Sequence, residues 1–167
     1  VVDVEVTVAA VPDVDAWIAE LRPALLRTLA PIGEVLREST DSCFDRQSDP
    51  WGTAWPSTRR SRSGEGRILI DRGILRGSIH VEMDESTLTV RVAAGGAAAS
   101  YAFVHQWGSE AKGIEARPFL ALRGSAGAPF VELPADVQAE VEATVRDALD
   151  QYVARMNAQR SSAPGGT

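Results

Sequence analysis

The sequence predicts an α+β fold: a long, interrupted N-terminal helical region, a small, mainly antiparallel sheet with a central hairpin, and a C-terminal amphipathic helix. Three observations predict it. Apolar residues recur at spacings of three and four from about residue 13 to 46, and again from Val137 to Met156. Between these helical stretches, Ile79, Val81 and Met83 alternate with His80, Glu82 and Asp84, and Leu88, Val90 and Val92 alternate in the same way. A period near 3.6 marks a helix with one buried face, and a period of two marks a half-buried strand.

Taken in order, Val2, Val4, Val6 and Val8 alternate with Asp3, Glu5 and Thr7, which reads as a strand ended by Pro12. Asp13 is a plausible N-cap for a helical region over 13–46, which Pro23 and Pro31 are expected to kink or restart because proline lacks the donor and crowds the preceding turn. Residues 48–66 mix serine, glycine, tryptophan and arginine and read as a long loop. A short helix fits Ile68–Leu75, and Asp84–Thr87 supplies the turn of the hairpin. Gly95–Ser100 is a small-residue linker, Tyr101–Trp107 a helical turn, and Ile114–Leu122 a further strand. Pro134 opens the last helix, whose stripe is Val137, Val141, Val145, Ala148, Tyr152 and Met156, with Glu142 and Arg146 spaced for an ion pair. The organisation expected is one domain over 1–160 and a flexible tail, 161–167, with nothing to bury.

At 167 residues and 17.8 kDa the chain is long enough to build a core without disulfides or metal. The single cysteine, Cys43, excludes an internal disulfide. No stretch is long and apolar enough for a bilayer crossing, so no membrane partner is expected. The acidic residues within the first eleven positions do not fit a secretion signal. The formal net charge of −6 disfavours non-specific nucleic-acid binding by the whole body. That average hides a split. Six arginines lie between Arg59 and Arg76 (59, 60, 62, 67, 72 and 76), and six acids between Glu132 and Asp150 (132, 136, 140, 142, 147 and 150). Two separately solvated faces account for the split; complementary surfaces of neighbouring copies account for it too. On the second reading Arg59, Arg60, Arg62 and Arg67 face Glu140 and Asp147 across an interface, and the valine strand pairs edge to edge between subunits.

Catalytic patterns are missing. His80 falls on the polar face of a strand, His105 lies among aromatics, and neither has a partner at metal-ligand spacing. No GxSxG, GxGxxG or GxxxxGK[ST] pattern occurs. No catalytic, cofactor-binding or metal-ligating residue is assigned, and no cofactor is expected. The Arg59–Arg67 loop could contact phosphates, with Trp51 and Trp55 nearby for stacking, which gives a DNA-binding accessory role as the alternative reading.

Four segments stand in a telling order: Pro50-x-Gly52-x-x-Trp55-Pro56, then Leu69-x-Asp71-x-Gly73-x-Leu75-x-x-Ser78-Ile79, then Tyr101-Ala102-x-x-His105-Gln106-x-Gly108, then Ile114-x-Ala116-Arg117-Pro118-Phe119-Leu120. In this order they resemble the phage virion morphogenesis proteins, the tail-completion proteins of Mu-like and related tailed phages. Arg72 stands where family members often carry threonine or serine. Physically, Gly52 and Gly73 permit tight turns, Trp55 anchors the loop, and Leu75 and Ile79 clamp the short helix onto the hairpin. Arg117, Pro118 and Phe119 lead an extended segment back into the sheet.

The resemblance implies a structural, non-enzymatic virion protein of the neck or tail end: a ring-forming subunit that completes the tail and joins it to the head. Its partners would be copies of itself, tail-tube proteins and head-side connector proteins, with non-specific contact to packaged DNA. It would be made in the host cytoplasm and end in the virion.

Overall fold

The computed structural model describes residues 14–96 and 99–162. The N-terminal valine alternation and the end of the tail, 163–167, lie outside the described residues. Helix α1 runs unbroken from Val14 to Arg46 with Pro23 and Pro31 inside it, so the expected interruption does not occur. Both prolines are on the exposed face, where the carbonyls they deprive of a partner can bond to water. Helix α5, Ala135–Ser162, begins as its composition predicts, with Gln138 N donating to Pro134 O at 2.8 Å and Asp136 in the first turn. All six residues of its stripe are buried or half-buried. They pack along α1, where Ala24, Thr28 and Leu29 are buried, and Tyr152 Oη donates to Glu20 Oε2 at 3.4 Å. The expected Glu142–Arg146 pair is not formed; Glu142 accepts from Gln138 Nε2 at 2.8 Å, one turn earlier.

Strands β1 (Ile79–Asp84) and β2 (Thr89–Ala94) form the expected hairpin, with Val81 opposite Val92 and Met83 opposite Val90. Asp84 Oδ1 accepts from Ser86 N and Ser86 Oγ at 2.8 and 2.6 Å, which closes the turn and holds the Asp84 carboxyl below the usual range. The hairpin lies along α1. Arg22 Nη2 donates to the carbonyls of Glu85 and Ser86 at the turn, and the backbones come close at Gly33. A Cβ at Gly33 would sit 2.7 Å from Val81 Cγ1 and 3.6 Å from Val90 Cγ1.

Three expectations are corrected between these elements. Residues 48–66 are not one irregular loop. Ser48 bridges Ala54 around a tight turn, and α2 (Arg59–Arg62) is one helical turn held by a Thr58–Ser61 capping box. The helix expected over Ile68–Leu75 is only α3, Ile74–Gly77, because Arg67–Ile70 closes a bridged turn with Leu69 at φ 59°. The strand expected over Ile114–Leu122 does not form: residues 115–119 belong to no ladder, and a strand begins only at Leu122. Strands β3 (Leu122–Ser125) and β4 (Ala128–Val131) pair as a second hairpin, so there are two separate two-stranded sheets. Helix α4, Ala99–Trp107, is longer than the turn its sequence suggests.

Candidate functional site

The four sequence segments converge on the end of α1. Asp49 Oδ1 accepts from Trp51 N and Thr53 N at 3.0 and 2.8 Å, and Gly52, at φ +91°, completes the turn that follows the buried Pro50. This turn delivers Trp55 into the core. Its ring meets Phe44 edge-on at 5.6 Å, and its indole N–H donates to Pro118 O at 2.8 Å. Phe44 also packs against Phe119 at 5.7 Å. Cys43, Phe44, Trp55, Ile68, Leu75, Ala102 and Phe119 are the buried cluster. Burial pushes the Cys43 thiol up to about 11, which makes it a packing group rather than a nucleophile.

Arg117 is 6% exposed, and it ties two segments together. Its Nε donates to Pro56 O at 2.9 Å, its Nη1 to Glu115 O at 3.1 Å, and its own N–H to His105 O at 2.6 Å. Gly108, at φ +77°, ends α4, and a Cβ there would lie 3.0 Å from both Ala116 N and Ile114 O. Gly73 at φ +74° opens α3; Leu75 is buried, and Ser78 Oγ donates back to Leu75 O at 2.7 Å before Ile79 starts β1. Tyr101 contacts the His105 ring at 6.3 Å.

His105 Nδ1 is buried without a hydrogen-bond partner among the described residues. Desolvation first, and the nearby Arg117 charge second, lower the His105 pKa. The ring is therefore neutral at pH 7. It borders a cavity of about 500 Å³ with Tyr101, Arg60, Asp71 and Arg72. No hydrogen bond joins Tyr101 to His105 among the described residues, and Asp71 is paired with Arg60. Among the described residues no cluster of His, Cys, Asp or Glu is placed to hold a metal ion, and no helix is long and apolar enough to cross a membrane.

Two glutamines hold backbone groups, a role the sequence pattern assigns to neither Gln106 of the third segment nor Gln47. Gln106, 3% exposed, accepts from Phe119 N and Leu120 N at 3.1 Å each and donates to Leu120 O at 3.2 Å, so one amide satisfies a strap that no strand pairs. Gln47, at φ 56°, does the same for Ile68: its Nε2 donates to Ile68 O at 3.1 Å and its Oε1 accepts from Ile68 N. A glutamine inside an apolar run, as in AFVHQW, is the available signal for such a role.

The arginine stretch is largely occupied internally. Arg76 forks onto Asp41 and Asp45 of α1, which raises its own pKa and lowers that of Asp45. Arg60 pairs with Asp71, and Arg67 donates to Phe44 O and lies 3.6 Å from Asp45. Arg62 donates weakly to Ser57, while the side chains of Arg59 and Arg72 make no hydrogen bond or ion pair among the described residues. Glu140 and Asp147 are exposed on α5.

Fold and site together define an α+β scaffold whose motif side chains hold backbone segments in place. The chain belongs to the phage virion morphogenesis family, whose profile matches residues 10–154. Its role thus lies in building a phage particle. Neither the curated proteins nor the solved structures compared with it include a match.

Proposed function

We propose that the protein is a ring-forming subunit of the neck or tail end, which completes the tail and joins it to the head. The observation that carries this reading is the convergence of the four family segments on one buried knot. There Trp55, Arg117, Gln106 and Ser78 direct their polar atoms to backbone groups. Such residues fix the shape of a rigid building block, and none is arranged for chemistry on a substrate. Apolar surface remains for partners: Met83, Phe103, Phe130 and Val131 are each more than half exposed. The partners proposed are copies of the same chain, tail-tube proteins and head-side connector proteins, and the protein passes from the host cytoplasm into the virion.

The test is sedimentation of the purified protein alone and with tail tubes, together with electron microscopy of particles made without it. Self-association, co-sedimentation with tubes, and an excess of unjoined heads and tails in its absence are the expected results. Normal infectious particles formed without the protein would overturn the reading.

A further inference from the structure

Strand β2 has one partner, β1, and its other edge is free among the described residues. Beside that edge runs a groove of about 440 Å³. Four consecutive residues of β2, Thr89–Val92, line it, which only an edge can do, because successive side chains of a strand point to opposite faces. Leu36 of α1, Leu122, Val131 and Val137 line it as well. An open ladder beside an apolar trough is a seat for one more strand.

We propose that the segment Val2–Val8 of one subunit adds as a third strand to the β2 edge of a neighbouring subunit, its valines filling this groove. The proposal rests on the self-association proposed above. Two observations select this occupant. First, the faces match. Neighbouring residues on adjacent strands share a face of the sheet. Val90 and Val92 are half-buried, with Val90 directed at Gly33 of α1, whereas Thr89 and Arg91 are exposed. A strand that continues the Val90–Val92 face with Val2, Val4, Val6 and Val8 places Asp3 and Glu5 on the side of Arg91. Second, reach limits how much of the segment one subunit can seat on its own edge. Leu36 lies 22 residues along α1 from Val14, about 33 Å at 1.5 Å per residue. Val8 is six residues before Val14 and spans at most ~22 Å even fully taut; Val6 spans ~29 Å. A chain folded straight back on its own helix brings only Val2 and Val4 level with Leu36. A neighbour can offer the whole groove to the whole segment.

Cysteine pairing in the full chain tests this. Cys43 is completely buried and does not compete. Glu5→Cys chains mixed with Arg91→Cys chains should give a disulfide-linked heterodimer on oxidation, and the double variant should give a ladder of multimers; Asp3→Cys replaces Glu5→Cys for the alternative register. A fast-migrating, internally linked monomer as the sole product would place the segment on its own subunit and overturn the proposal, as would no linkage from either position. Val4→Asp with Val6→Asp should raise the concentration needed for self-association by at least about tenfold while leaving thermal unfolding unchanged. Unaltered association would count against the seat. If the unmodified chain associates while these variants show no effect, the strand seat falls and the ring stands. An unmodified chain that stays monomeric with and without tail tubes removes both.

Discussion

At the residue scale, Trp55 and His105 show how the motif positions divide between packing and electrostatics. Trp55 is 5% exposed, stacks edge-on with Phe44 and holds Pro118 O. Trp55→Ala should destabilise the fold by roughly 3–5 kcal/mol. Chemical denaturation would measure this as a lower midpoint with little change in slope. The two histidines titrate in opposite directions. Desolvation lowers the pKa of His105, so the unfolded chain takes up this proton before the folded one does. Stability from His105 is present above the unfolded value near 6.5 and is lost as pH falls from there through the lower folded value. His80, which contacts Ser78 O and then Glu82, has a raised pKa. Its contribution is present below the unfolded value and is lost as pH rises through the folded one. A proton-NMR titration should therefore place the His105 midpoint below that of His80, and His105→Gln should flatten the loss of thermal stability between neutral and mildly acid pH.

At the scale of elements, the contact of α1 with the first hairpin depends on a missing side chain. Glycine within a helix normally costs about 1 kcal/mol relative to alanine. At Gly33 that cost is outweighed, because the new Cβ would lie 2.7 Å from Val81 Cγ1. Gly33→Ala should thus destabilise by about 1–2 kcal/mol in spite of its better helix propensity. Val81→Ala destabilises by itself through lost burial, yet adding it to Gly33→Ala should cost less than the sum, and a double-mutant cycle on thermal unfolding would show that coupling. The second hairpin is held differently. Arg123 stacks over the Trp51 ring at 3.5 Å and pairs with Glu132 across from it, which ties β3 and the segment after β4 to the turn at Pro50.

At the scale of the whole molecule, the internal ion pairs redraw the charge split. Arg60, Arg67 and Arg76 neutralise Asp71, Asp45 and Asp41 within the subunit, so the basic surface offered to a neighbour is smaller than the count of arginines suggests. The proposed interface of Arg59, Arg60, Arg62 and Arg67 with Glu140 and Asp147 is best tested through its freer members. Glu140→Lys with Asp147→Lys should weaken self-association at low salt and leave the monomer folded. Arg59→Glu with Arg62→Glu should partly restore it. Exposed pairs contribute only about 0–1 kcal/mol each, so the effect should fade as salt is raised. Light scattering across a salt series gives the answer, and association indifferent to both pairs of changes would remove charge from the interface while leaving the apolar seat beside β2 as the contact to examine.

What the sequence by itself determined was whatever depends on neighbours within a few residues. The period of two fixed the β1–β2 hairpin almost to the residue, the stripe from Val137 to Met156 fixed the buried face of α5, and the ordered motifs fixed the family. The tertiary structure decided what depends on partners far along the chain. Pro23 and Pro31 stay within a continuous helix because both face solvent, a matter of how α1 lies against the rest. Ile114–Leu122 reads as a strand, but the side chain of Gln106 takes the backbone groups of Phe119 and Leu120 that a neighbouring strand would have bonded. Arg76 finds Asp41 across 35 residues, a pairing that local sequence cannot express. Periodicity reports which face of an element will be buried; it does not say against what, because that choice is made by distant segments competing for the same surface and the same backbone groups.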